Sequence, residues 1–216
     1  MTYLEVVNSI LRRLREDTVS SVTENEYSTL IGDLVNTVKS EVEDAWKWNA
    51  LRSTITVNTI ASTYRYVLTD AGTKSSLLDS YNNTSDWQLR VASSPWLNQQ
   101  FTYADPQTGE PTYYGVNGAD SSGDIQVDVY PIPDAVYVLD FNLILKQAEL
   151  SADADVPLVP SDVLVLGAWA LAVSERGEDG GAGFAELDGK YRQALSDAIA
   201  IDGSNMHDSE LCWGVE

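Results

Sequence analysis

Residues 23–49 read TENEYSTLIGDLVNTVKSEVEDAWKWN, and the spacing of their apolar members decides the fold class. Tyr27, Leu30, Ile31, Leu34, Val35, Val38, Val42, Ala45 and Trp46 recur every three or four residues, which puts them on one broad stripe of an α-helix. Thr23 followed by Glu26 has the spacing of a capping box, so the helix is expected to start there. Asn25, Asp33, Asn36, Ser40, Glu43, Asp44 and Lys47 fall off the stripe and are expected mostly to face water. Roughly 27 residues rising about 1.5 Å each make a rod of about 40 Å. So long a stripe needs partners along its length.

Helical candidates lie on both sides of it. Upstream, Thr2 and Glu5 repeat the capping-box spacing, and Tyr3, Val6, Val7, Ile10, Leu11 and Leu14 stripe a helix to about Glu16. Arg12, Arg13 and Arg15 crowd its last turns, where cations favour the helix dipole; the same triplet is a candidate interface for an acidic partner or phosphate. Asp17 to Val22 turns the chain into an antiparallel helical hairpin. Downstream, Ser151 to Pro160 is an acidic linker, and Ser161 can cap a helix from about Asp162 to Arg176. That helix is apolar nearly all round from Val163 to Val173, Trp169 included, as a buried helix is. Glycines at 177, 180, 181 and 183 end it. A last helix runs from about Phe184 to Ile201. Gly203, Ser204 and Asn205 are expected to break it and leave Asp202 to Glu216 as a flexible C-terminal arm. Leu211, Trp213 and Val215 form an apolar cluster on that arm, a candidate docking motif.

Between the helical stretches the pattern turns to strands. Thr54 to Asn58 and Tyr64 to Leu68 suggest a hairpin; Leu77 to Tyr81, Trp87 to Val91, Phe101 to Tyr103 and Tyr113 to Val116 are further strand candidates. Ile125, Val127 and Val129 alternate with polar or aromatic neighbours, Pro131 to Asp134 turns the chain, and Tyr137, Leu139, Phe141 and Leu143 answer on a return strand. The expected fold is α+β, a four-helix bundle interrupted by an antiparallel β domain. The bundle halves fall at 1–51 and 151–201, the β domain at 52–150 and the arm at 202–216.

Charge narrows the function. Thirteen Lys and Arg against 33 Asp and Glu give a net charge of −20. A chain this acidic is a poor general binder of nucleic acid, whose affinity rests on clustered cations. The excess serves either solubility or adaptation to a salt-rich source, or else a surface that must not stick to a nearby polyanion. No apolar run reaches the roughly 20 residues of a membrane span. Glu5 and Arg12 come too early for a signal peptide, and a single cysteine, Cys212, excludes an internal disulfide, so a reducing cytoplasm is expected.

Catalytic signatures are missing. His207 is the only histidine, and it makes no credible pair with Cys212. No zinc-protease, paired C-x-x-C, nucleophile-elbow or Walker motif occurs. Gly180 to Gly183 is glycine-rich but follows a helix, whereas a phosphate cradle follows a strand. Asp153-Ala154-Asp155 and Asp120 to Asp124 read as turns rather than calcium loops. No catalytic residue, cofactor or metal is expected. Trp87, Trp96, Phe101, Tyr103, Tyr113 and Tyr114 suit the core of a β domain; the alternative is a binding module for cell-surface glycan built on Trp87 and Trp96.

Four stretches carry a resemblance. They are Thr2-Tyr3-Leu4-Glu5-Val6-Val7-Asn8 with Leu11-Arg12-Arg13-Leu14-Arg15; Val42-Glu43-Asp44-Ala45-Trp46 with Trp48-Asn49-Ala50-Leu51-Arg52; Tyr130-Pro131-Ile132-Pro133-Asp134; and Val159-Pro160 leading to Glu175-Arg176-Gly177-Glu178. Through them the chain resembles the head-to-tail adaptor proteins of tailed bacteriophages, akin to the tail tubular protein A of short-tailed phages. The resemblance implies a structural virion protein with no catalytic residues. It implies a ring of twelve copies at the head-tail junction, made in the host cytoplasm and bound to the portal protein and to a distal nozzle or tube protein. DNA would pass through such a ring during ejection without specific binding, and an acidic lining would keep it from being retained. By the same resemblance, the portal is the partner expected for Leu211, Trp213 and Val215.

Overall fold

The computed structural model describes residues 1–177 and 182–205. In chain order the elements are α1 (Tyr3–Arg13), α2 (Glu26–Ala45), β1 (Arg52–Asn58), β2 (Arg65–Gly72), β3 (Ser76–Asn82), β4 (Trp87–Gln88), β5 (Arg90–Val91), α3 (Ser94–Thr102), β6 (Tyr113–Ala119), β7 (Asp124–Tyr130), β8 (Val138–Ile144), α4 (Ser161–Arg176) and α5 (Ala182–Ser204). They divide into a helical unit, Met1–Ala50 with the chain from Gln147 onward, and a β unit, Leu51–Lys146.

The helical unit begins with the capping box read from the sequence. Thr2 Oγ1 accepts the Glu5 N–H at 3.3 Å, and Glu5 Oε2 accepts the Thr2 N–H at 2.8 Å. The long helix α2 is shorter than expected and starts later. Its cap is Asn25, whose Oδ1 accepts the Ser28 N–H at 2.8 Å while Ser28 Oγ accepts the Asn25 N–H at 3.2 Å. It ends at Ala45, where Trp46 turns extended. Its buried face is Ser28, Ile31, Gly32, Val35, Val38, Lys39, Val42 and Glu43, whereas Tyr27, Leu30 and Leu34 are half-buried and Ala45 is exposed. The stripe is thus turned toward Gly32, because α1 approaches there. A Cβ on Gly32 would run into the Tyr3 hydroxyl and come within 2.8 Å of Val22 Cγ1. The core indole at the end of α2 is Trp48, 2% exposed, which donates to Val42 O at 2.7 Å; Trp46 is half-buried.

α4 buries Val163, Leu164, Val165, Gly167, Ala168, Ala170 and Ala172 against α1 and α2, and Gly177 ends it in the left-handed region at φ 64°. α5 lies along α4 and buries Leu187 and Tyr191. Gly203 does not break it: Asp202, Gly203 and Ser204 are helical. Asp202 Oδ2 accepts from Trp46 Nε1 at 3.0 Å, which ties the end of α5 to the end of α2. The expected arm therefore does not begin at residue 202. His207, Leu211, Cys212, Trp213 and Val215 lie outside the described residues.

The β unit holds two four-stranded sheets, ordered β1-β8-β3-β4 and β2-β7-β6-β5. Leu68, Val127 and Val129 from one meet Leu139, Phe141 and Leu143 from the other in a common core. The two expected hairpins do not form. β1 pairs with β8 and β2 with β7, so each pair of sequence neighbours is split between the sheets. The stretch after β7, entered through a cis Tyr130–Pro131 bond, carries the chain from one sheet to the other. Phe101 to Tyr103 is not a strand, since Phe101 sits in α3, which has Pro95 in its first turn and buries Leu97.

The α+β class holds, but the four-helix bundle interrupted by one antiparallel β domain does not. Among the described residues there are five helices, one of them inside the β unit, and two sheets, one containing the parallel pair β5–β6. Alternation marks which face of a strand is buried without saying which strand lies beside it. Among the described residues no helix is long and apolar enough to cross a membrane.

Candidate assembly surfaces

The expected arginine triplet sits at the C-terminal end of α1, but its members differ. The Arg13 guanidinium lies 5.3 Å from the centroid of the Trp169 ring on α4. Arg15 turns the chain with φ 61°. Arg12 and Arg15 are exposed, and among the described residues neither meets a carboxylate. The residue that organises this end is Arg176, which the sequence marks only as a helix end. Its Nε donates to Tyr27 Oη at 2.9 Å, and its Nη2 donates to Glu16. The Glu16 contact, more than any other, raises its pKa. The last residue of α4 thereby holds the end of α1 and the start of α2 together.

The opposite end of the helical unit carries a groove. Trp48, Leu158 and Pro160 face Ala194, Ala198 and Ile201 across it. Leu158 is 50% exposed and Ile201 67%, so its apolar floor is open. Asp162, at the start of α4, and Asp197, on α5, put carboxylates on its rim. Asp202 builds the wall by accepting from Trp46 Nε1 and from the Asn49 N–H at 3.2 Å. Along the 16 residues of α4, the groove and the arginine end stand about 24 Å apart.

In the β unit the aromatic residues mostly pack on one another. Trp96 lies 5.1 Å from Tyr113 and 5.6 Å from Tyr130, Phe101 stacks on Tyr64 at 4.1 Å, and Tyr114 meets Phe141 edge-on at 5.9 Å. Trp96 is therefore engaged between α3 and the sheet. Trp87, 40% exposed, lines a shallow cleft with Arg90 and Tyr113.

The acidic turns have local work. Asp120 Oδ1 accepts the N–H of Ser122 at 2.8 Å and of Asp124 at 2.9 Å, closing the β6–β7 turn. Asp153 Oδ1 accepts the Val22 N–H at 2.9 Å. Asp155 Oδ2 accepts the N–H groups of Ala152 and Ser151, and these bonds lower its pKa. Among the described residues no three His, Cys, Asp or Glu side chains are placed to hold a metal ion.

No curated protein matches the chain. The family model described as "SU10 adaptor protein" matches residues 1–210, nearly the whole sequence and both structural units. The chain belongs to the SU10 adaptor protein family, in keeping with the head-to-tail adaptor resemblance of its sequence, and is a structural adaptor of a bacteriophage virion.

Proposed function

We propose that this protein forms a closed ring, twelve copies in number, at the head-tail junction. There it joins the portal to a distal nozzle or tube protein and surrounds the channel through which DNA leaves during ejection. The observation that carries this reading is the family match over residues 1–210.

Charge supports the channel part. The helical unit holds 23 acidic and 8 basic residues, the β unit 10 and 5. Most of the negative excess is therefore in one unit, and a ring that turns it toward the bore repels a passing polyanion instead of holding it by counterion release. Leu211, Trp213 and Val215 are the residues proposed to dock on the portal, as three apolar side chains among acidic neighbours near the chain end.

The test is co-assembly. Purified protein mixed with portal is expected to give a complex whose mass, by light scattering, adds twelve copies per portal ring. Trp213→Ala is expected to weaken that attachment without changing the melting temperature of the free protein. A different copy number, or no complex, contradicts the proposal.

A further inference from the structure

We propose that copies of this chain join head to tail through the helical unit, with the Arg12–Arg15 corner of one copy seated in the Trp48–Leu158–Ile201 groove of the next. The proposal rests on the ring reading above and adds the surfaces that make the contact.

The groove itself states what it needs. Its floor is apolar and open at Leu158 and Ile201, and its rim carries Asp162 and Asp197. A fitting occupant has cations on apolar stems, which describes arginine. The helical unit contains few candidates. Lys39 is buried against Glu43, Lys190 pairs with Glu186, Arg192 with Asp188 and Arg176 with Glu16, while Arg13 lies on Trp169. Lys47 is next to Trp48, at the groove end itself. Arg12 and Arg15 are left, exposed and without a carboxylate among the described residues. They stand at the far end of α4 from the groove, so one copy cannot close the contact on itself. Two complementary surfaces at opposite ends of one body give a heterologous contact, which builds a ring when the rotation between copies closes on itself. The methylene stems of Arg12 and Arg15 would cover Leu158 and Ile201 while the guanidinium groups reach the two carboxylates.

Charge reversal tests this with two variants of the full chain, Arg12→Glu/Arg15→Glu and Asp162→Lys/Asp197→Lys. Each alone opposes like charges at every contact and should weaken self-association about tenfold or more, by sedimentation velocity. Mixed in equal amounts they should recover it. The intact groove of the first variant meets the intact arginines of the second, and the reversed surfaces match each other. Misfolded variants could not rescue one another, so recovery also shows that both fold. A wild-type oligomer indifferent to both reversals, whether its groove holds the chain's own residues 206–216 or another protein, overturns the contact and leaves the ring. Reversals that weaken assembly without recovery on mixing also overturn the contact. Wild-type protein that stays monomeric both alone and with portal overturns contact and ring together.

Discussion

Lys39 and Glu43, one turn apart on α2, form an ion pair inside the helical unit: Nζ lies 3.0 Å from Oε1, and the side chains retain 4% and 2% of their exposure. Lys39 Nζ also donates to Gln147 O at 2.7 Å, at the point where the chain re-enters this unit. Gln147 then holds the segment beyond it, donating to Val156 O at 2.9 Å and accepting the Leu158 N–H at 3.0 Å. Glu43 Oε1 is close to the ammonium but receives no aligned hydrogen bond, so the carboxylate depends on the nearby charge.

Removing the lysine alone should therefore be costly. Lys39→Met leaves Glu43 buried and unpaired and is expected to lose about 3–5 kcal/mol in urea denaturation, while Lys39→Met with Glu43→Leu should lose much less. A single mutant within about 1 kcal/mol of wild type would show that water reaches the carboxylate.

Two glycines should respond in opposite directions. A Cβ on Gly167 would lie 2.6 Å from Val38 Cγ1 and 3.0 Å from Tyr191 Cε2, whereas one on Gly189 meets nothing within 4 Å. Gly167→Ala should push α4 off its neighbours and cost about 1–3 kcal/mol. Gly189→Ala, on the exposed side of α5, should gain about 0.5–1 kcal/mol from helix propensity. Thermal melts of the two variants check both signs.

Tyr3 and Tyr191 predict an alkaline limit. Both are pushed from the ordinary 10.0 up to about 12, chiefly by burial, with Asp33, Glu149 and Asp153 adding to the first and Glu41 to the second. The folded state holds these protons more tightly than the unfolded state does. Their stabilising contribution is full below pH 10 and is lost as pH rises from 10 toward 12. The melting temperature should fall across that window, and Tyr3→Phe/Tyr191→Phe should flatten the fall. An unchanged slope in the double variant would contradict this.

In the β unit, Arg65 holds a fully buried carboxylate. Its Nε and Nη2 donate to Asp128 Oδ1 at 2.7 Å and Oδ2 at 2.9 Å, and Asn117 Nδ2 adds a bond at 2.6 Å. Arg65→Ala leaves Asp128 with the asparagine alone and should cost about 2–3 kcal/mol by denaturant titration. Arg65→Lys should recover only part, since an ammonium cannot match the fork.

The sequence was most legible where local chemistry sets the structure. Thr2 and Glu5 cap α1 because both partners of the box lie within one turn. The start of α2 was misread because Thr23–Glu26 and Asn25–Ser28 share a spacing, and only tertiary packing at Val22 and Gly32 chooses between them. Lys39 and Glu43 hid because a charge reads as solvent-facing until its partner is seen one turn away. Most strands of the β unit were legible one by one, but not Phe101 to Tyr103, whose Phe101 lies in α3, nor the pairing: Val127 and Phe141 alternate as inner-face residues in any sheet, and their strands join different ones. For the assembly surfaces, Arg12 and Arg15 stood out by charge, but the groove takes Trp48, Leu158 and Ile201 from three distant stretches that no spacing connects.

An electron cryo-microscopy reconstruction of the phage neck tests the ring directly. Twelve copies of this fold are expected in a closed ring directly beneath the portal, with the acidic helical units toward the DNA. A ring with another copy number, or density for this chain anywhere but between portal and tail, would contradict it.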